Sequence, residues 1–142
     1  MTNPDSILSL HINPVLHHVA VVVTDLDEAL ARYRTLGFSS GERFVLAEQA
    51  VEVATLRCGT GWIELIRPMD PDGPIARYLA KRGEGVHHVA YAVPDLRASL
   101  NELEAAGIRL IDAAPRIGAH GWRIAFVHPE SCAGVLTELV EE

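Results

Sequence analysis

Displaced by 70 residues, this chain lies over itself: LHHVAVVVTDL at 16–26 returns as VHHVAYAVPDL at 86–96. The register then holds without a gap. His17, His18, Val19, Ala20, Val23, Asp25, Leu26, Leu30 and Gly37 meet identical residues at 87, 88, 89, 90, 93, 95, 96, 100 and 107. Two short apolar strands align by chance easily. Two strands, each followed at the same distance by an acidic cap, a helix leucine and a closing glycine, do not, so the chain is an internal duplication. Whatever one half folds into, the other must fold into as well.

Each copy opens with a short β-branched run that reads as a strand. Asp25 and Asp95 then stand where an N-cap accepts from the free N–H groups of a first helical turn. Leu26, Leu30 and Tyr33, or Leu96, Leu100 and Leu103, form one apolar stripe of the helix that follows. Gly37 and Gly107 close these helices, since glycine adopts the left-handed C′ conformation without strain. Three more strand candidates follow each helix: ERFVLA, VEVATLRCG and GWIELIRP in the first half, IRLIDA, WRIAFVHP and GVLTELVE in the second. The expected class is therefore α+β, with two tandem βαβββ modules. We divide the chain into an N-terminal extension (1–15), a first module (16–70), a connector with a short helix from about Pro74 to Arg82 (71–85) and a second module (86–142).

A length of 142 residues suffices to bury a core without disulfides or structural metal. A net charge of −7 argues against nucleic acid as a partner, because such binders need a basic face. No apolar run approaches the roughly 20 residues of a spanning helix, which excludes a membrane partner of that kind. The start MTNPDSILSLHINPV has no basic leader and reads as a cytoplasmic protein's. Cys58 and Cys132 are isolated, 74 residues apart, and fit structural thiols better than a C-x-x-C motif.

Strand alternation puts His18 on a face with Ala20 and Val22, and His88 on one with Ala90 and Ala92. His17 and His87 fall on the other side, where a helix should pack. Two later strands repeat the oddity with carboxylates: Glu64 between Trp62 and Ile66, Glu138 between Leu136 and Val140. An unpaired carboxylate on an apolar face is costly and needs a cation or a proton. A lone buried histidine is usually a hydrogen-bonded core residue, and a lone mid-strand glutamate a ladder pair. Four such residues in a duplicated arrangement instead suit one divalent ion with open positions, provided a pseudo-twofold axis brings them together.

The paired HHVA strands, EQAV at 48–51, IELIRPMDPDGPIARYLAKRGEGVHHVAYAV at 63–93 and IDAAPRIGAHGWRIAFVHPESCAGVLTELVE at 111–141 resemble the vicinal oxygen chelate superfamily and, within it, the methylmalonyl-CoA epimerases. That resemblance, spanning about Leu16 to Glu141, implies a cupped, barrel-like mixed sheet and a homodimer. It implies His18, Glu64, His88 and Glu138 as ligands of Co²⁺, with Mn²⁺, Ni²⁺ or Zn²⁺ as substitutes. The implied substrate is methylmalonyl-CoA, epimerised through removal of its α-proton and a metal-stabilised enolate. Inversion needs an acid/base group on each side of the α-carbon. Glu138 serves as one. Some members carry a second glutamate four residues after the glutamine of the EQ motif, where this chain has Val53. Glu52 is adjacent and is the expected second base if a bulge turns it inward.

Other polar residues have smaller roles. His120, in the GAHGW loop, is either a substrate contact or an idle loop residue, and His128 before Pro129 reads as a turn residue. Lys81, Arg82, Arg116 and Arg123 are either solvated charges or contacts to coenzyme A phosphates. Competing functions on the same fold are a glyoxalase-type isomerase, an extradiol dioxygenase and a metal-free drug-binding protein.

Overall fold

The computed structural model describes residues 12–142, so most of the predicted N-terminal extension lies outside the described residues. In chain order the elements are β1 (Val15–Val22), α1 (Leu26–Thr35), β2 (Ser39–Leu46), β3 (Val51–Cys58), β4 (Gly61–Pro68) and α2 (Pro74–Arg82). Then come β5 (Gly85–Ala92), α3 (Leu96–Ala105), β6 (Arg116–Ile117), β7 (Arg123–Val127) and β8 (Thr137–Glu141). Each half is thus strand, helix, three strands, as the repeat requires. Among the described residues no helix is long and apolar enough to cross a membrane.

Two compact units emerge, and each HH dipeptide is divided between them. One unit is His18–His87; the other joins His88–Glu142 to the N-terminal segment ending at His17. Ile12 explains why that segment belongs with the later residues: it is buried with Val93, Leu96, Leu100, Ala125, Val127 and Leu139.

In the His18–His87 unit the strand order is β2-β3-β4-β1, with β1 parallel to β4 and the other neighbours antiparallel. In the His88–Glu142 unit the order is β5-β8-β7-β6, with β5 parallel to β8. A parallel pair needs a crossover, and α1 and α3 supply it. Asp25 and Asp95 cap these helices as expected, each Oδ1 accepting at 3.0 Å from the backbone N–H of Glu28 or Ala98. Gly37 and Gly107 follow at φ 102° and 83°, where a β-carbon would be strained.

Each helix lays its leucine stripe on one face of its sheet. Leu26 and Leu30 meet Val23, Ala54, Leu56 and Leu65, while Leu96 and Leu100 meet Val93, Ala125 and Leu139. Full burial of one such leucine contributes roughly 1.5–3 kcal/mol, so these stripes hold each helix down. The opposite faces carry smaller clusters: Ala20, Val51, Val53 and Ile66 in one unit, Ala90, Ile124 and Val140 in the other.

One predicted strand does not form. IRLIDA makes a single isolated bridge, Leu110 to Val127, and the ladder beside β7 resumes as the two-residue β6. The Asp112 side chain is the cause. Its Oδ2 accepts from the Phe126 backbone N–H at 2.8 Å, while the N–H groups of Ile111 and Asp112 both reach the Phe126 carbonyl. The strand partner is thereby used by a turn, and Pro115 cannot donate to a ladder.

Candidate active site

Register fixes which side chains share a face. His18 pairs with Trp62 and Ala20 with Glu64 across the parallel β1–β4 ladder, so His18 and Glu64 rise from one face of adjacent strands. Their atoms are close: His18 Nε2 lies 3.2 Å from Glu64 Oε2, with both side chains buried. The Trp62 ring stacks parallel to the His18 imidazole with centroids 6.4 Å apart. In the other unit Ala90 pairs with Glu138 across β5–β8, and Glu138 with Phe126 across β8–β7. There His88 Nε2 lies 3.4 Å from Glu138 Oε2, both side chains buried, and Phe126 meets the His88 ring edge-to-face at 5.5 Å. Each unit therefore presents one buried histidine–glutamate pair backed by an aromatic ring.

Burial is what makes these pairs chemically unusual. Desolvation pushes the Glu64 carboxyl up to about 7, against the opposing effect of the Trp62 indole N–H. A cation beside it would restore the carboxylate. The spacing of each pair fits that use. Nitrogen and oxygen ligands each about 2.1 Å from one ion, at tetrahedral to octahedral angles, stand about 3.0–3.4 Å apart. The donor set, imidazole nitrogen and carboxylate oxygen on apolar faces, fits a divalent ion of the borderline class.

Glu52 is placed differently from the sequence expectation. It pairs with Arg67 across β3–β4, whereas Thr55 pairs with Glu64, so alternation turns Glu52 to the face opposite Glu64. No bulge intervenes, since the register shift between β2 and β3 lies at Ser40/Arg43. On that helix-facing side its oxygens bind Arg43 Nε at 3.1 Å and Arg67 Nε at 3.3 Å, and Arg43 also bonds Asp27. These arginines hold the Glu52 carboxyl below its usual range, with the Arg43 hydrogen bond the largest cause. It is an ion-pair hub joining β2, β3, β4 and α1, on the face away from Glu64 and not on the inward face that the expected second base required.

The outer histidines also find particular partners. His87 meets Tyr78 of α2 edge-on, with ring centroids 4.7 Å apart, and burial lowers its pKa. His17, expected against a helix, instead packs edge-on against Trp122 at 5.0 Å and places Nε2 2.6 Å from Glu142 Oε1. His120 packs against the same Trp122 ring at 4.7 Å, on a backbone with φ 60°. His128 caps the turn Pro129–Ser131, its Nδ1 accepting from the Glu130 N–H. Arg82 lies over the Tyr78 ring and Arg123 sits 3.8 Å from Glu141. The sequence reading missed Phe126, although its alternation with Ile124 on β7 already put it on the Glu138 face.

Residues 17–126 match the family model of the glyoxalase/bleomycin resistance protein/dioxygenase superfamily. The chain is 40% identical to the mitochondrial methylmalonyl-CoA epimerase of Bos taurus over 126 residues, 87% of this chain and 72% of that one. It is 39% identical over 127 residues to the ethylmalonyl-CoA/methylmalonyl-CoA epimerase of Cereibacter sphaeroides, covering 87% of this chain and 95% of the relative. A solved methylmalonyl-CoA epimerase in complex with methylmalonyl-CoA and NH4+ superposes with a TM-score of 0.83 at 37% identity, over 91% of this chain and 94% of that one. The chain accordingly belongs to the glyoxalase/bleomycin resistance protein/dioxygenase superfamily and, within it, to the methylmalonyl-CoA epimerase family.

Proposed function

We propose that this protein epimerises methylmalonyl-CoA by α-proton transfer, with His18, Glu64, His88 and Glu138 holding one divalent ion. The observation that carries the reading is the duplicated, buried histidine–glutamate pair, one in each unit, within a family of epimerases. A divalent ion held there would supply Lewis acidity that stabilises negative charge on the substrate's thioester oxygen as the α-proton leaves. Cobalt is our choice of metal, since imidazole and carboxylate donors together suit mid-series divalent ions.

The chain's own residues have definable tasks. The aromatic rings of Trp62 and Phe126 hold the His18 and His88 imidazoles in place and keep water from them. Glu138, on the sheet face it shares with His88, serves as one acid/base group, taking the α-proton or returning it. The small residues Ala20 and Ala90, fully buried on these faces, leave room beside the ligands.

The decisive experiment is incubation of the cobalt-loaded protein with methylmalonyl-CoA in D₂O, read by NMR. Deuterium at the α-carbon well above the no-enzyme rate is expected. A rate equal to the blank overturns the assignment, and turnover of a glutathione hemithioacetal in its place would move the protein to the glyoxalase-type isomerases. Two coarser features complete the proposal. Val15 and Leu16 on β1 and Val86 on β5 are exposed, which favours a homodimer that covers them, testable by light scattering. Both cysteines are free, which suits a reducing compartment such as the cytoplasm.

A further inference from the structure

One cation, Arg116, stands on the His88–Glu138 face. Arg116 pairs with Ile124 across β6–β7, and Ile124 is buried with Ala90 and Val140, so Arg116 rises from the face that bears Glu138. Its own strand is the outermost of the four, yet its side chain arches inward. The guanidinium carbon lies 5.4 Å from the centroid of the Phe126 ring, and the same ring meets His88. Phe126 thus stands between a cation and a metal-ligand candidate. Since Phe126 and Glu138 are register partners on strands about 4.8 Å apart, Arg116 overhangs the strand next to the proposed ion.

The orientation is set rather than floppy. Asp112 Oδ2 receives Arg116 Nε at 3.3 Å and is itself fixed by the Phe126 backbone N–H. The Nε edge of the guanidinium is occupied, while half the side chain's surface is still exposed. Of the remaining arginines of this unit, Arg97 lies on α3, Arg109 pairs with Glu130 and Arg123 with Glu141. No lysine occurs between 88 and 142.

We propose that Arg116 binds the free carboxylate of the acyl group and so selects dicarboxylic acyl thioesters over simple ones. This rests on the epimerase reading. A planar guanidinium held through Nε matches a carboxylate oxygen and adds positive charge where a substrate carrying one carboxylate gains a second charge on deprotonation. The closeness of Phe126 to both Arg116 and His88 favours this end of the substrate over the phosphates of coenzyme A, which a thioester bound at His88 would hold at the far end of the pantetheine arm.

The test measures binding by calorimetry to the metal-loaded wild type, R116M and R116K, using malonyl-CoA, propionyl-CoA, malonyl-pantetheine and free coenzyme A. In R116M the preference for malonyl-CoA over propionyl-CoA should fall about tenfold or more, the usual worth of a hydrogen bond to a charged group. Malonyl-pantetheine should weaken in parallel, free coenzyme A should be unchanged, and R116K should fall between. Melting temperatures of both variants should match the wild type, because the side chain is exposed. Equal weakening of coenzyme A and malonyl-CoA, with malonyl-pantetheine unaffected, would assign Arg116 to a phosphate and overturn the proposal, as would an unchanged preference. A wild type without any preference for malonyl-CoA would overturn the epimerase reading itself.

Discussion

The two units share one design on their helix-facing sides and differ on the faces that carry the histidine–glutamate pairs. Leu26 and Leu96, 70 positions apart, are both essentially inaccessible, and each opens a helix capped by aspartate. The other faces have diverged. That of His18 and Glu64 is walled by Val51, Val53 and Ile66 with Phe44, Leu46 and Ile75 against them. That of His88 and Glu138 has the smaller Ala90, Ile124 and Val140 cluster, the aromatic Trp122 and Phe126, and a cation above it. The difference teaches that the duplicated halves keep in common what folding needs on the helix-facing side, while the faces bearing the histidine–glutamate pairs differ.

The comparison is broken most severely at the pairs themselves. If one ion is shared, His18→Ala and His88→Ala should each empty the whole site, and metal analysis should find one ion per wild-type chain and almost none in either variant. The affinity loss should exceed the about 100-fold typical of losing an outer partner. Half-occupancy in each variant, from two ions in the wild type, would mean that the pairs act separately. The next effect is on the shared cores. Leu26→Ala and Leu96→Ala should each cost about 2–5 kcal/mol in urea unfolding, and a large inequality would show that the units are not equivalently packed.

Smaller effects sharpen the helix starts. Asp25→Ala and Asp95→Ala should each lose about 1 kcal/mol. Beside these caps the units use different carboxylates: Glu84 accepts from the Thr24 N–H and hydroxyl, while Glu141 accepts from the Leu96 N–H. The Thr24 N–H holds the Glu84 carboxyl below its usual range. A depressed carboxylate stabilises the fold above its unfolded pKa and loses that contribution as pH falls through the folded one. Glu84→Gln should therefore be slightly less stable than wild type at neutral pH, with the gap closing under acid titration below the usual glutamate range. A gap that stays constant with pH would remove Glu84 from the capping arrangement.

Much of this was legible before any coordinates. The 70-residue shift specified a duplicated βαβββ chain because strand, cap, leucine stripe and glycine each have their own local rule and all agreed. The helix Pro74–Arg82 and the strand Gly61–Pro68 fall at the boundaries read from the sequence. Alternation alone named His18 and Glu64, or His88 and Glu138, as polar residues on apolar faces. IRLIDA was misread for a reason local pattern cannot contain: Asp112 finds the Phe126 N–H, fourteen residues on, and spends a strand partner on a turn. Glu52 was misplaced because the expected inward turn needed a bulge, and the β3–β4 ladder runs straight through it.

The sequence by itself determined the repeat, the helices with their caps, the alternation of each strand and hence which residues were chemically out of place, since these depend on periods of two and 3.6 residues and on single-residue backbone preferences. Tertiary structure alone decided that N-terminal Ile12 packs with the later unit, that Glu52 goes to two arginines, and that Phe126 meets His88 on one side and Arg116 on the other. Those outcomes depend on pairing between strands far apart in the chain, where register and side-chain reach, and not local propensity, fix the partner.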